Sequence, residues 1–386
     1  MSKPKLIRIT TVPISLDKLL SGQLNFMQSR YEVVAVSSEK DYLERVGTKE
    51  NVRTFHLEMS RKITPFSDFI SVVRLFLFLL KEKPLIVHTH TPKAGIVGMV
   101  ASKLAGVPHR LHTVAGMPLL EATGITRKLL NFVEWATYAC ATHVYPNSFG
   151  LKTIIEQHHF CSSRKLKVLA NGSSNGIDTS YFSADLFSNE LKDRYRVAMN
   201  ISSDDFVFIF VGRLVSDKGI NEMVAAFVKI QENNSKAKLL LVGDYESELD
   251  PLHSATLESI KTNRGIISVG FQSDVRPYFS LSHVLVFPSY REGFPNVVMQ
   301  AGAMGLPSIV SDINGCNEII VNNKNGLIIP VKDQQAISTA MGLILSDMNL
   351  YTTLSANSRS RIVAFYEQKI VWDALLQEYD VVLSND

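Results

Sequence analysis

The sequence contains little of what disulfide-bonded, fibrous or disordered proteins need. Only three of its 386 residues are cysteines, Cys140, Cys161 and Cys316, and this odd number at wide spacing fits neither a disulfide framework nor a paired metal motif. There is no low-complexity tract, and 46% of the residues are apolar against 20% charged, which excludes disorder. We therefore expect a globular protein of a reducing compartment, long enough for two domains.

Long hydrophobic runs are also missing. The N-terminus, MSKPKLIRITTV, leads directly into a strand-like pattern, without the features of a signal peptide. The apolar segment Phe66–Leu80 is interrupted by Asp68 and Arg74 and is shorter than the roughly 20 residues that span a bilayer. Two interpretations stay open for it, a helix in the membrane interface and a helix packed on a sheet. Basic residues flank the segment: Arg61, Lys62, Lys81 and Lys83.

The net charge of +3 conceals two halves of opposite sign. Residues 1–180 contain 23 Lys and Arg against 13 Asp and Glu, whereas the remainder contains 17 against 24. A basic half fits an anionic partner such as a membrane surface, a lipid phosphate or a nucleic acid, or else a solvated basic face. Nucleic acid is the weaker alternative, because no nucleic-acid-binding motif accompanies the charge.

Short apolar runs alternate with longer helical patterns along the chain, which is the βαβ rhythm of parallel sheets. Such sheets bury both faces, so their strands are continuously apolar. The strand candidates are 6–11, 33–37, 54–57, 85–90, 110–114 and 143–146, and then 206–211, 238–242, 266–269, 284–287 and 308–311. The predicted fold class is α/β, with two Rossmann-like, doubly wound parallel-sheet domains facing a cleft.

The turn-forming segment Asn171–Asp178 is the expected linker between the domains. Residues 1–178 then form the N-terminal domain, and residues 179–365 form the C-terminal domain. The end of the chain shows helical patterns at 334–346, 350–364 and 369–382. We expect the last helix, about 366–386, to cross back to the N-terminal domain.

In an open α/β sheet, ligands bind beyond the carboxyl ends of the strands. In the second domain, Gly212 and Arg213 follow the first strand, and Lys218 comes just before a helix that begins near Gly219. Two cations at a helix N-terminus predict a diphosphate site, although a solvated loop would look the same.

Residues 287–307 carry the strongest pattern. Glu292 lies in a turn, and Pro295 is expected to start a helix whose N–H groups around Phe294–Val298 face outward toward an anion. Glu292 and Gln300 suit sugar or ribose hydroxyls better than acid–base chemistry, because Gln300 carries no proton at neutral pH.

The first domain offers weaker candidates after its strands. Lys93, at a helix start, is expected to hold the phosphate of an acceptor lipid or to be an ordinary helix-start lysine. His88 and His90 share a strand face, but no carboxylate or third ligand is nearby, so no metal site is predicted. Neither domain has Gly-x-Gly-x-x-Gly after its first strand, which disfavours a dehydrogenase.

These motifs resemble the retaining family 4 glycosyltransferases of the GT-B fold over nearly the whole chain. The resemblance rests on Gly212-Arg-Leu…Asp-Lys-Gly219, Glu292-Gly-Phe-Pro-Asn296, Gly305-Leu-Pro307 and Asn171-Gly…Gly-Ile-Asp178. The segments Thr10–Pro13 and His88–Gly95 are similar to members that build bacterial capsule, O-antigen and other lipid-linked glycans, including lipopolysaccharide.

The resemblance implies a hexosyltransferase. It would move a hexose or N-acetylhexosamine from a nucleotide-diphosphate sugar, commonly a UDP-sugar, to a hydroxyl of a lipid-linked saccharide, with retention. Arg213 and Lys218 would neutralise the departing diphosphate, and Glu292 would bind hydroxyls of the donor sugar. The other implied donor-binding residues are Gly212, Gly293, Phe294, Pro295, Asn296 and Gln300, and the weaker acceptor-binding residues are His90, Lys93 and Gly116.

The resemblance also implies how the reaction and its setting work. In the front-face mechanism proposed for the family, the leaving phosphate takes the acceptor proton, so we nominate no protein base. No metal or cofactor is expected, and the sequence has no Asp-x-Asp motif. The expected location is the cytoplasm, peripheral on the inner face of the cell membrane. The expected partners are the nucleotide sugar, the lipid-linked saccharide and the anionic membrane surface, without nucleic acid.

Two positions depart from the family pattern. Gln300 replaces a second glutamate, and Ala115 replaces the histidine that relatives often have before Gly116. His112 is expected to be a packed strand histidine, because alternation puts it on the opposite face from Ala115. The alternatives are a catalytically inactive sugar- or lipid-binding scaffold and a nucleotide-sugar epimerase of the same fold. The joint presence of Arg213, Lys218 and Glu292 favours the transferase.

Overall fold

The structure is a computed structural model that describes residues 3–60, 62, 64–117, 119, 122–246, 248 and 250–384. It divides into two compact units, Met1–Asn175 with Lys369–Asp386 and Gly176–Gln368, called unit 1 and unit 2 below. The boundaries expected from the sequence lie within three residues of these.

Unit 1 is built on a six-stranded sheet in the order β3-β2-β1-β4-β5-β6, with every neighbouring pair parallel. Its strands are β1 (Lys5–Ile9), β2 (Glu32–Ser37), β3 (Arg53–His56), β4 (Ile86–His90), β5 (His109–Val114) and β6 (His143–Pro146). Its helices are α1 (Gln23–Met27), α2 (Lys40–Glu50), α3 (Pro65–Glu82), α4 (Pro92–Leu104), α5 (Gly124–Cys140) and α6 (Phe149–Gln157).

Unit 2 repeats this architecture with the strand order β12-β11-β10-β7-β8-β9. Its strands are β7 (Phe206–Val211), β8 (Ala237–Val242), β9 (Ile266–Ser268), β10 (Val284–Phe287), β11 (Ser308–Ser311) and β12 (Gly326–Ile329). Its helices are α7 (Asn189–Ala198), α8 (Ile220–Asn233), α9 (Ser254–Thr262), α10 (Arg276–Ser280), α11 (Asn296–Ala303), α12 (Cys316–Ile319), α13 (Gln334–Ser346) and α14 (Met348–Tyr366).

The strands are buried on both faces, as helical crossovers on a parallel sheet require. In the central strand β7, the side chains of Val207, Phe208, Ile209 and Phe210 are all inaccessible to solvent. Polar side chains are therefore concentrated where the strands end. Every strand predicted from the sequence is present, with ends that differ by at most two residues. The sequence analysis missed β12, a short edge strand that pairs with β11.

The last helix, α15 (Gln368–Ser384), contributes to unit 1, as expected from the sequence. Leu375, Tyr379 and Val382 are buried in the same hydrophobic cluster as Leu24 and Val33. The expected helix extended to Asp386, but Asn385 and Asp386 lie outside the described residues. No helix in the described part of the chain has the length and apolar character needed to cross a bilayer.

Candidate functional site

An ion pair joins Lys218 and Glu292 at the carboxyl edge of the unit 2 sheet. Lys218 ends the 3₁₀ turn Ser216–Lys218 after β7, and Glu292 lies in the turn after β10. Lys218 Nζ donates to Glu292 Oε1 at 2.5 Å, and Ser289 Oγ donates to the same oxygen at 3.1 Å. The two side chains keep only 15% and 19% exposure, so the low local dielectric strengthens the attraction. Two residues predicted from the sequence are thus in contact.

The chain backbone holds the two loops of this ion pair together. Gly219 has φ 70°, and a Cβ there would lie 2.2 Å from the carbonyl oxygen of Pro288, so only glycine permits this approach. The Tyr290 N–H donates to the Asp217 carbonyl at 2.9 Å, and Arg291 pairs with the Asp217 carboxylate at 3.1 Å.

Unpaired backbone donors lie next to Glu292. The N–H groups of Gly293, Phe294, Asn296 and Val297 donate to no group in the described part of the chain. Pro295 is the N-cap of α11, so the helix begins one residue later than the sequence predicted. Free N–H groups and the positive end of the helix dipole favour an anion at this place.

Gln300 lies in the middle of α11 and is half-buried. Its side chain makes no hydrogen bond to another described residue. Its amide therefore keeps both donor and acceptor capacity for a ligand, and its predicted contact with ribose stays a prediction.

Arg213 makes no hydrogen bond to Lys218 or Glu292 in the described structure. Its guanidinium forms an ion pair with Glu246, which follows β8. Arg213 and Glu246 line a cleft of about 470 Å³ at the carboxyl ends of β7, β8 and β9. Tyr245 and Phe271 also line this cleft, and Phe271 is 70% exposed. Sequence reasoning missed Tyr245, Glu246 and Phe271, although each follows a strand end, which was the available signal.

The corresponding edge of unit 1 holds a buried guanidinium. Arg8 has no exposed surface, and its Nη2 donates to Gln23 Oε1 at 2.5 Å and to His90 Nε2 at 2.8 Å. Its Nη1 donates to Tyr379 Oη at 3.2 Å, and this hydroxyl lies 2.6 Å from His88 Nδ1. All of these partners are neutral groups, which is unusual for a buried charge.

The Arg8 guanidinium determines which ring nitrogen of His90 carries the proton. Because Arg8 only donates, His90 Nε2 must accept, and the proton of the neutral ring is on Nδ1. Burial and the Arg8 charge lower the pKa of His90 well below 6.5, and burial, His90 and Arg8 do the same to the pKa of His88. Within the described residues, no group of three or more His, Cys, Asp or Glu side chains is arranged to hold a metal ion.

The other acceptor candidates of unit 1 are placed separately. Lys93, in the first turn of α4, forms an ion pair with Asp68 of α3 and is largely buried. Gly116 has open space where a Cβ would lie. His112 is buried and bonded to Thr89 Oγ1 at 2.7 Å, which confirms the expectation of a packed strand histidine.

Comparisons with known proteins agree with these features. Residues 192–361 match the family described as glycosyl transferases group 1, and residues 25–172 match the glycosyl transferase 4-like domain. The capsular polysaccharide biosynthesis glycosyltransferase CapM of Staphylococcus aureus is 32% identical over 386 residues, 100% of this chain and 99% of CapM. A UDP-Gal:α-D-GlcNAc-diphosphoundecaprenol α-1,3-galactosyltransferase of Escherichia coli is 31% identical, covering 84% of this chain and 81% of that protein.

Solved structures show the same fold. A glycosyltransferase from Rickettsia africae superposes with a TM-score of 0.81 at 17% identity, covering 100% of both chains. HepE of Anabaena, in complex with UDP and glucose, gives a TM-score of 0.81 at 16% identity, covering 98% of this chain and 100% of HepE. The expected GT-B fold is confirmed. Since the similarity to CapM spans both chains almost completely, this chain belongs to the GT-B glycosyltransferases of family 4 that include enzymes of bacterial capsule and lipid-linked glycan synthesis.

Proposed function

We propose that this protein is a retaining hexosyltransferase. It transfers a hexose or N-acetylhexosamine from a UDP-sugar to a hydroxyl of a lipid-linked saccharide during synthesis of a bacterial surface polysaccharide. The observation that carries this proposal is the Lys218–Glu292 pair beside the unpaired N–H groups that precede α11. This arrangement offers an ammonium and aligned backbone donors to a diphosphate, and a carboxylate to sugar hydroxyls.

The cleft beside Arg213 supports a nucleotide donor. Tyr245 and Phe271 offer exposed aromatic surface to a base. Gln300 of α11 offers an amide to ribose hydroxyls. The Escherichia coli relative is named for UDP-Gal and a GlcNAc-diphosphoundecaprenol acceptor. A Campylobacter jejuni relative, 26% identical over 92% of each chain, is named for a diphospho-undecaprenol acceptor as well. These names support a UDP-sugar and a lipid diphosphate here.

The proposed chemistry needs charge stabilisation rather than a protein nucleophile. The bond from the anomeric carbon to the leaving phosphate breaks, and the acceptor oxygen bonds to that carbon on the same face. The acceptor proton passes to the leaving phosphate oxygen. Negative charge develops on the diphosphate, so Lys218 and the N–H groups of Gly293 and Phe294 act mainly in the transition state.

Binding of the donor tests the proposal most directly. Among UDP-, GDP- and ADP-sugars, we expect the UDP-sugars to raise the melting temperature of the protein in the presence of EDTA. The shift should be lost in Lys218→Met and kept in Lys229→Met, which removes an exposed lysine of α8. If none of these nucleotide sugars changed the melting temperature of the wild type, the proposal would be contradicted. The anomeric configuration of the product, determined by NMR, separates retention from inversion.

We also propose peripheral association with the inner face of the membrane. One side of α3 packs inward through Ser71, Leu75 and Leu79. The sequence left open whether this helix packs on a sheet or lies in the membrane interface, and the structure gives it one packed side and one exposed side. Both α3 and α5 expose apolar side chains, which we call together the aromatic face: Phe66, Phe69, Ile70, Val73, Leu77, Leu80, Ile125, Leu129, Phe132 and Trp135. Exposed aromatic residues of this kind insert at the boundary of headgroups and acyl chains.

The charges around the aromatic face match an anionic bilayer. Exposed cations lie in these helices or close to them in the sequence: Lys62, Arg74, Lys81, Lys83 and Lys128. Within the described parts of α3 and α5, no acidic side chain is exposed, since Asp68 is half-buried and Glu82 and Glu134 are buried. Arg61, which the sequence analysis grouped with these cations, lies outside the described residues.

Sedimentation with vesicles of phosphatidylethanolamine and phosphatidylglycerol tests this association. We expect binding at low salt, weaker binding as salt screens the cations, and loss of binding in a Phe132→Ser, Trp135→Ser double variant. Val197 is an apolar residue of unit 2 that is more exposed than Phe132 and Trp135, and the control variant Val197→Ser should bind like the wild type. Absence of sedimentation at low salt would contradict the association without affecting the proposed reaction.

A further inference from the structure

The side chain of Asn314 clamps the backbone of the turn that contains Glu292. Asn314 lies in the loop between β11 and α12, and its Nδ2 donates to the carbonyl oxygens of Glu292 and Gly293, the second at 3.1 Å. One amide thus satisfies two successive carbonyls. Only Nδ2 has the protons for this, because the amide oxygen would face two carbonyl oxygens.

These two bonds determine where the neighbouring N–H groups point. In a planar trans peptide, the carbonyl oxygen of one residue and the N–H of the next lie on opposite sides. Holding the carbonyls of Glu292 and Gly293 toward Asn314 therefore turns the N–H groups of Gly293 and Phe294 away from it. Both N–H groups are unpaired in the described structure, and successive N–H groups turned to one side form an anion-binding concavity.

The next residue allows the loop to come this close. Gly315 has φ 76°, and a Cβ there would lie 2.5 Å from the Gly293 carbonyl oxygen and 2.9 Å from Phe294 Cα. Any side chain at this position would push the loop away from the turn. The loop and the turn are therefore fitted to each other at the place where Asn314 donates.

We propose that Asn314 is a positioning residue for the reaction, which presents the N–H groups of Gly293 and Phe294 to the diphosphate of the donor. This inference rests on the proposed function, since it needs a diphosphate ligand at this turn. Asn314 acts through the backbone and does not itself contact the sugar or the acceptor. It therefore affects recognition of the diphosphate and leaves recognition of the nucleoside unchanged.

The test compares UDP with uridine on the full-length protein by calorimetry. Asn314→Ala removes both donors, and Asn314→Ser keeps one hydroxyl donor. We expect the Kd of UDP to rise about tenfold in Asn314→Ala and by less in Asn314→Ser, since one well-aligned hydrogen bond to a charged group contributes on this scale. The Kd of uridine should stay the same in both variants. In turnover assays kcat should fall while the KM of the acceptor is unchanged.

Asn317→Ala is the matched control. Asn317 lies three positions further along, and its Nδ2 donates at 2.8 Å to Asp312, away from the Glu292 turn. This variant should bind UDP like the wild type. Equal weakening of UDP and uridine in Asn314→Ala would show a general disturbance of unit 2 and overturn the inference, as would a Kd of UDP equal to that of Asn317→Ala. A wild type that binds no nucleoside diphosphate would instead overturn the proposed function, and this inference with it.

Discussion

The two units carry positive charge at the carboxyl edges of their sheets in opposite ways. In unit 1, the Arg8 guanidinium is fully buried and donates to Gln23, His90 and Tyr379, which are all neutral. In unit 2, Lys218 faces the carboxylate of Glu292, keeps some exposure, and lies beside N–H groups that have no partner in the described chain. The same topology therefore supports a closed edge and an open one.

The difference separates the features of the two edges that depend on the fold from those that depend on individual residues. A parallel sheet places loop residues together at its carboxyl edge in both units. Whether that edge receives a ligand depends on whether its donors are already used. Both Nη groups of Arg8 donate within unit 1, and only its Nε, which is buried, has no partner, whereas the N–H groups of Gly293 and Phe294 have no partner in the described chain.

Among the substitutions that test this comparison, Lys218→Met is expected to have the largest effect on activity. Loss of the ammonium should lower kcat/KM for the donor by about 10²-fold or more, because a fixed donor to developing charge contributes on that scale. Kinetics with both substrates varied would measure it. Lys93→Met makes the same exchange in unit 1 and should change the KM of the acceptor alone. Equal effects of both variants on the donor would remove the contrast between the units.

The architecture was readable from the sequence because both sheets are buried on two faces. Continuous apolar runs such as β7 and β10 could be recognised directly, and α15 was expected in unit 1. The edge strand β12 was missed because it begins at a glycine directly after the turn-forming residues Asn322–Asn325. Its pairing with β11, rather than its own residues, identifies it as a strand.

The site was partly predictable, for a physical reason. Lys218 and Glu292 follow strand ends, so topology alone brings them to one edge, and they are in contact. The pairing of Arg213 with Glu246 was not predictable, because it depends on how the loops after β7 and β8 meet. The same holds for Asn314, whose role depends on hydrogen bonds to carbonyls that no sequence pattern records.

The second-largest effect is expected for a substitution in the backbone that supports the carboxyl edge of unit 2. Gly219→Ala should destabilise the protein by about 2 kcal/mol or more, because a Cβ would meet the Pro288 carbonyl and φ would be unfavourable. Urea unfolding followed by circular dichroism would measure this loss. An unchanged midpoint would mean that the loop can move away from Pro288, and the Lys218–Glu292 contact would then not depend on Gly219.

Acid should act more strongly on the closed edge. Burial lowers the pKa of His88 and His90 well below 6.5 and that of His112 to about 4, and in unit 2 burial lowers the pKa of His283 to about 4. The unfolded chain takes up these protons near pH 6.5 and the folded chain does not. Stability is therefore complete above about pH 6.5 and decreases as the pH falls, by about 1 kcal/mol per histidine and pH unit.

Hydrogen exchange between pH 7 and pH 5.5 would measure this difference. After correction for intrinsic exchange rates, amides of β4 and β5 should lose protection before those of β7 and β8. The opposite order would show that the buried histidines of unit 1 are not neutral in the folded protein. The electrostatic difference between the two units would then be wrong.

The smallest effect is expected for Gly116→Ala. A Cβ at this position meets no atom within 4 Å, so stability should change by less than about 0.5 kcal/mol. Thermal unfolding and acceptor kinetics together test Gly116 as an acceptor residue. A rise in the KM of the acceptor without loss of stability would support that role, whereas no change in either would remove Gly116 from the site.

The position of Tyr379 has a consequence for biosynthesis. Its hydroxyl bridges Arg8 and His88, so a residue that is synthesised after the whole of unit 2 completes a network that begins in the first strand. Domains generally fold in the order in which they leave the ribosome. Here the order is reversed in part: unit 2, which is continuous from Gly176 to Gln368, is complete in sequence before unit 1 is. A nascent chain from which α15 has not yet emerged would carry Arg8 without its tyrosine partner, so unit 1 can close only after all of unit 2 has been synthesised.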